Sequence, residues 1–299
     1  MSFFKGHKGR RSYDLLSNYN HFMPSYTNLA WIVLMVILGA FIGSLILTPF
    51  IAMGYRNEVE IYGMLISYPL MFIPAMLYAS AVSRRNEGFI TSYAIDSSNF
   101  GSRKGITVAF AAVVITLATA FVIDPIGMLL PDMPLEMELL MKKLLGGPAW
   151  VTLLSVSIFA PFFEEWLCRG VVLRGLLDKT GPTMAIVISA LFFALIHMNI
   201  WQGVPAFFMG LLFGYVYYKT GSLKLTMFMH FANNTLAFAI SRIPSLENAD
   251  YFSDVLSPWA YGGVYAVALV ALIFGLILFK GIPQKEGNLG GCQKIDSIF

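Results

Sequence analysis

The sequence predicts an all-α fold: a polytopic membrane helix bundle of about eight transmembrane helices, with both termini cytoplasmic. Three observations lead there. Hydrophobic residues make up 57% of the 299 and charged residues only 12%, about half of the ~25% that a soluble domain carries. Mean hydropathy is +0.70. The apolar stretches are continuous, as in helices, rather than alternating, as in a barrel. A soluble enzyme, a disordered chain and a nucleic-acid-binding module are excluded, because a soluble surface of this size needs more charge. The net charge of +3 is too small to call for a polyanionic partner.

Each helix is justified by a run without charged side chains. Such runs are 22–55, 61–83, 105–123, 144–163, 180–196, 198–218, 225–241 and 255–279. A spanning helix needs about 20 apolar residues. The runs place helices near 29–53, 61–82, 105–128, 149–178, 182–198, 203–219, 223–242 and 258–280. Lys and Arg then orient them: with the N-terminus inside, 16 of the 20 fall on the cytoplasmic side, as the positive-inside rule requires. The first predicted helix starts after a largely polar segment of 28 residues and reads as a signal anchor, not a cleaved leader. The chain thus divides into a polar N-terminal segment (1–28), a transmembrane domain (29–280, with a motif core at 149–240) and a cytoplasmic tail (281–299). The expected location is an integral, multi-pass membrane protein, in the inner membrane if the source is bacterial. Cys168 and Cys292 form no disulfide framework or zinc ribbon.

Small-residue pairs Gly39/Gly43 and Gly210/Gly214 fit close helix packing. Trp31, Trp150, Trp201 and Trp259 sit near helix ends, as interfacial anchors do. Trp166 reads as a packing residue. Asp124, before Pro125, reads as an interfacial turn.

The informative residues are polar ones inside apolar runs, each costing about 2.5–3.5 kcal/mol on insertion scales. They are Glu164, Glu165, Arg169, His197, His230, Asn233 and Asn234. Glu165 and Arg169 are four apart on one helix face, acid first, and can neutralise each other. Glu164 is turned about 100° away and lacks that partner. His230 and Asn234 are also four apart and face one way. At about 1.5 Å per residue, straight helices bring Glu164, His197 and His230 to a similar depth.

A carboxylate and an imidazole can together deprotonate a water, which attacks a carbonyl without a covalent intermediate. A second His with an Asn can stabilise the oxyanion. That is peptide hydrolysis. Metal chemistry is the near rival: Glu164, His197 and His230 are a possible zinc ligand set. Against it, there is no HExxH and Asn is an unusual zinc ligand. Metal-free chemistry is preferred, with zinc as the alternative cofactor.

Three motifs in order, Glu164-Glu165-xxx-Arg169, Phe193-xxx-His197 and His230-xxx-Asn234, resemble those of the CPBP family, the CAAX prenyl proteases and bacteriocin-processing or immunity proteins also called the Abi family. The resemblance covers about 149–240. It implies an intramembrane endopeptidase. By motif position, Glu164 activates water with His197, His230 and Asn234 form the oxyanion site, and Glu165 with Arg169 is the supporting ion pair. It implies a peptide or membrane-protein substrate, either prenylated or a bacteriocin or leader peptide, handled in the lipid bilayer without nucleic acid. Two rival readings use the same residues: a non-catalytic membrane immunity or binding protein, and a proton-coupled transporter.

Overall fold

The computed structural model describes residues 18–87, 94–246, 249 and 251–283. Most of the N-terminal segment, almost all of the C-terminal tail and Cys292 lie outside the described residues. The described residues form an all-helical fold. Among the described residues, α1 spans Tyr26–Ala52, α2 Arg56–Asn86, α3 Gly105–Gly127, α4 Leu135–Gly146 and α5 Ala149–Leu177. Then follow α6 Pro182–Leu195, α7 Ile200–Thr220, α8 Leu223–Ser241 and α9 Pro258–Lys280. Six of them (α1, α2, α3, α5, α7 and α9) are long and apolar enough to cross a membrane. The chain is a multi-pass integral membrane protein. Leu34, Phe41, Val267 and Phe274 project outwards, where lipid rather than water covers them.

A helix is present at each expected position, but α6 and α8 are not among the six long and apolar enough to cross a membrane, against the eight spans expected, and α4 is one more. Its Glu136, Glu138, Lys142 and Lys143 gave no apolar run. The helix carries its own i,i+4 pair, Lys142 Nζ to Glu138 Oε1 at 2.7 Å, and reaches α2 through Lys143 Nζ to Glu60 Oε2 at 3.1 Å.

Glycine lets two helix backbones approach closely. A Cβ on Gly39 would lie 2.2 Å from the Met71 carbonyl oxygen, and one on Gly43 would lie 3.1 Å from Ser67 Cα. So α1 and α2 meet backbone to backbone. Gly210 does the same for α7 against α6, where a Cβ would lie 3.0 Å from Ala190 Cα.

The long helix α5 is the centre of the bundle, and Trp166 through Leu177 are all buried. It is not a uniform α-helix: Leu153–Phe159 and Trp166–Leu173 are π-helical, on either side of an α-helical Ala160–Glu165. The 1.5 Å rise of a straight α-helix therefore does not carry through it. Pro161 explains part of this. Ala160 N–H bonds back five residues to Ser155. The next such donor would be residue 161, but proline has no N–H.

The end of α5 anchors the chain before α1. Arg174 is buried and donates to the carbonyls of Asn20 at 3.1 Å and Phe22 at 2.7 Å. Phe22 is buried, and the Tyr19 ring packs edge-on against Trp166 at 4.8 Å. Trp166 is thus a core residue.

Candidate active site

The glutamates arrive on the α-helical turn between the two π-helical stretches of α5. Such interruptions are frequent at functional sites. Both side chains are buried, and they have different partners.

Glu165 is held on two sides. Arg169 Nη1 donates to its Oε1 at 2.6 Å, with both side chains 0% exposed. His230 Nδ1, from α8, lies 3.0 Å from the same oxygen. Two ions taken from water need every available partner. Arg169 finds more: its Nη2 donates to Gly210 O of α7 at 3.2 Å, and its guanidinium lies 4.5 Å from the Phe193 ring centre and 5.4 Å from that of Phe213. One ion pair thereby ties α5 to α6, α7 and α8.

Glu164 is turned elsewhere, as the helix geometry requires. Tyr68 of α2 donates its O–H to Oε1. Oε2 is buried with no hydrogen-bond partner, and His230 Nε2 faces it at 3.8 Å. That gap is too long for a hydrogen bond. Since an ionised carboxylate only accepts, the Nδ1 contact with Glu165 places a proton on Nδ1 of His230. Its Nε2 is left pointing at Glu164.

Asn234, one turn further along α8, donates Nδ2 to Val156 O at 2.9 Å and accepts from Asn233 Nδ2 at 3.1 Å. Val156 is five residues before Pro161, so its carbonyl is the one that the proline leaves without a π-helical donor. The Asn234 amide fills that place. An amide carries two donor hydrogens, and the Val156 bond uses one.

His197 differs from the sequence expectation in its setting. Helix α6 ends at Leu195, and His197 lies in the following turn. Met198 takes a positive φ of 59°, a conformation that costs a non-glycine residue about 1–3 kcal/mol. Asn199 holds this turn: its Nδ2 donates to His197 O at 2.8 Å while its Oδ1 caps α7 through Gln202 N at 2.8 Å. His197 Nδ1 lies 2.8 Å from Phe193 O. With Nδ1–H donating there, Nε2 carries the free lone pair. The Phe193 ring packs edge-on against both His197 (5.1 Å) and His230 (5.5 Å).

The structure therefore gathers Glu164, Glu165, Arg169 and His230 into one buried cluster, with Asn234 beside it on α8 and His197 joined to it through Phe193. Among the described residues, no group of three His, Cys, Asp or Glu side chains could hold a metal ion. Sequence reading missed Tyr68. It lies 96 positions from Glu164, and a tyrosine in an apolar helix gives no local signal of such a role.

Residues 146–236 match the family model for type II CAAX prenyl endopeptidase Rce1-like proteins. That stretch begins just before α5, ends within α8 and contains all seven motif residues. It excludes α1 and α2, and so Tyr68. No curated protein and no solved structure matches the chain.

Proposed function

From an Rce1-like domain at the centre of a multi-pass membrane protein, we propose that the chain is an intramembrane endopeptidase that hydrolyses peptide bonds with activated water. One observation supports this above the others. Glu165 and Glu164 each keep a buried Oε2 without a hydrogen-bond partner, but Glu165 is neutralised by Arg169, whereas Glu164 has no such cation and its Oε2 faces an imidazole nitrogen at 3.8 Å. An unpaired buried carboxylate oxygen is costly and suits a proton acceptor.

In this reading Glu164, with His197, takes a proton from water, and the water oxygen attacks the scissile carbonyl. Negative charge builds on the carbonyl oxygen. His230 and Asn234 face that charge: Asn234 through its second amide hydrogen, His230 through an Nε2–H when both ring nitrogens are protonated. Glu165, held by Arg169, orients His230. The intermediate collapses as the C–N bond breaks, and the proton held by Glu164 passes to the leaving amine. No covalent enzyme intermediate forms and no metal is used. The substrate proposed is a peptide whose scissile bond reaches the site from the bilayer, a prenylated C-terminus first and a leader peptide second.

The test is cleavage in proteoliposomes of a farnesylated CAAX peptide and of a leader peptide. Glu164→Gln is expected to fold and to cleave neither. A Glu164→Gln protein as active as wild type would overturn the proposal.

A further inference from the structure

We infer that Tyr68 is a positioning residue for this reaction: its hydroxyl holds Oε1 of Glu164 and so selects Oε2 as the oxygen that takes the proton from water. The inference rests on the proposed protease reading and extends the site beyond the 146–236 segment to α2.

Three observations carry it. First, the Tyr68 O–H donates to Oε1, while Oε2 of the same carboxylate has no partner. A carboxylate with one oxygen fastened can turn only at the cost of that bond, so the free oxygen has one direction. Second, the phenol is itself fixed. Its ring lies 5.6 Å from Phe72, and Phe72 stacks at 5.4 Å and 15° on Phe163, the residue before Glu164. An aromatic ladder therefore joins α2 to the same turn of α5 that bears the glutamate, and both ends of the hydrogen bond move together. Third, α2 is placed by the backbone contact with α1 at Gly39, so the hydroxyl position is set by rigid packing and not by a loop. Misplacing a reacting group by about 1 Å can cost 10²-fold in rate, which is why a carboxylate at a site of this kind needs such a holder.

Tyr68→Phe keeps the ring and its ladder and removes only the donor. Wild type, Tyr68→Phe, Glu164→Gln and the double variant are compared in proteoliposomes with the farnesylated CAAX peptide. Tyr68→Phe is expected to lower kcat by about 10- to 100-fold, to leave KM within about twofold, and to unfold somewhat below the wild-type temperature, because buried Oε1 loses its donor. Residual cleavage by Glu164→Gln is expected to fall no further in the double variant, because the two act as a unit. A second measurement needs no substrate. The infrared carboxylate band that vanishes in Glu164→Gln is expected to shift in Tyr68→Phe, since its hydrogen-bond donor is gone. An inactive Glu164→Gln beside a Tyr68→Phe with full kcat, or an unshifted band, overturns this inference alone. A Glu164→Gln that cleaves as wild type overturns the protease reading with it.

Discussion

Nδ1 of His230 lies 3.0 Å from Oε1 of Glu165, the same oxygen that receives Nη1 of Arg169 at 2.6 Å. One carboxylate oxygen thus joins α5 to α8 and neutralises the buried guanidinium. The two adjacent glutamates therefore differ in what they contribute. Glu165→Gln strips the charge that compensates Arg169, and breaking a buried pair costs about 3–5 kcal/mol. Glu164→Gln removes no ion-pair partner of Arg169 and is expected to unfold near the wild-type temperature. Thermal unfolding in detergent separates them. Equal losses in the two variants would show that Glu164 also holds the fold together.

Asn234 and Pro161 form a second testable couple. Asn234→Ala leaves the Val156 carbonyl without its donor and is expected to cost about 1–3 kcal/mol of stability and about 10²–10³ in kcat. Adding Pro161→Ala restores a backbone N–H five residues after Val156. The double variant is expected to regain stability but not turnover. Recovery of both would mean that Asn234 serves only the helix backbone.

What the sequence discloses and what it conceals divide along physical lines. Apolar runs of spanning length are a composition signal, so the long helices were legible. The Glu165–Arg169 pair was legible because four-residue spacing is local geometry. The contact of His230 with Glu165 depends on how α8 crosses α5, which no spacing encodes. The π-helical stretches escaped because they arise from packing and from one absent N–H at Pro161. The extra helix α4 escaped because its charges interrupt hydropathy while supporting each other at i,i+4. The stop of α6 at Leu195 escaped because Ile196 and Met198 continue the apolar run, and the turn is made by Met198 in a backbone conformation its side chain does not favour. Tyr68 is the clearest case, since its role comes entirely from a distant helix.

The α1–α2 contact gives a third expectation. With the Met71 carbonyl 2.2 Å from a Gly39 Cβ, Gly39→Val forces the two backbones apart. Overpacking of this kind costs about 1–3 kcal/mol or more. Displacing α2 also moves Tyr68, so kcat is expected to fall with stability. Gly262 in α9 is the control, because a Cβ there meets nothing within 4 Å. Gly262→Ala is expected to leave unfolding temperature and kcat unchanged. Equal tolerance at both glycines would show that α1 and α2 are not in such close contact in the bilayer.

Asp178, just beyond the end of α5, supplies a pH dependence. Burial raises its carboxyl above the ordinary 3.8, and the nearby Arg174 only partly offsets this. Its Oδ2 is buried without a hydrogen-bond partner. A raised folded-state value means that the native state disfavours the ionised form. Above that value both native and unfolded states are ionised, and the native state bears the full penalty. As pH falls through the raised value towards 3.8, the native state takes up its proton first and wild-type stability rises. Asp178→Asn removes the charge and cannot titrate. It is expected to unfold about 1–3 °C above wild type near pH 8, with the gap closing as pH is lowered. Unfolding scans of both proteins across that range check it. A variant less stable than wild type near pH 8 would mean that the attraction of Arg174 outweighs the cost of burial, and would reverse the sign of the effect.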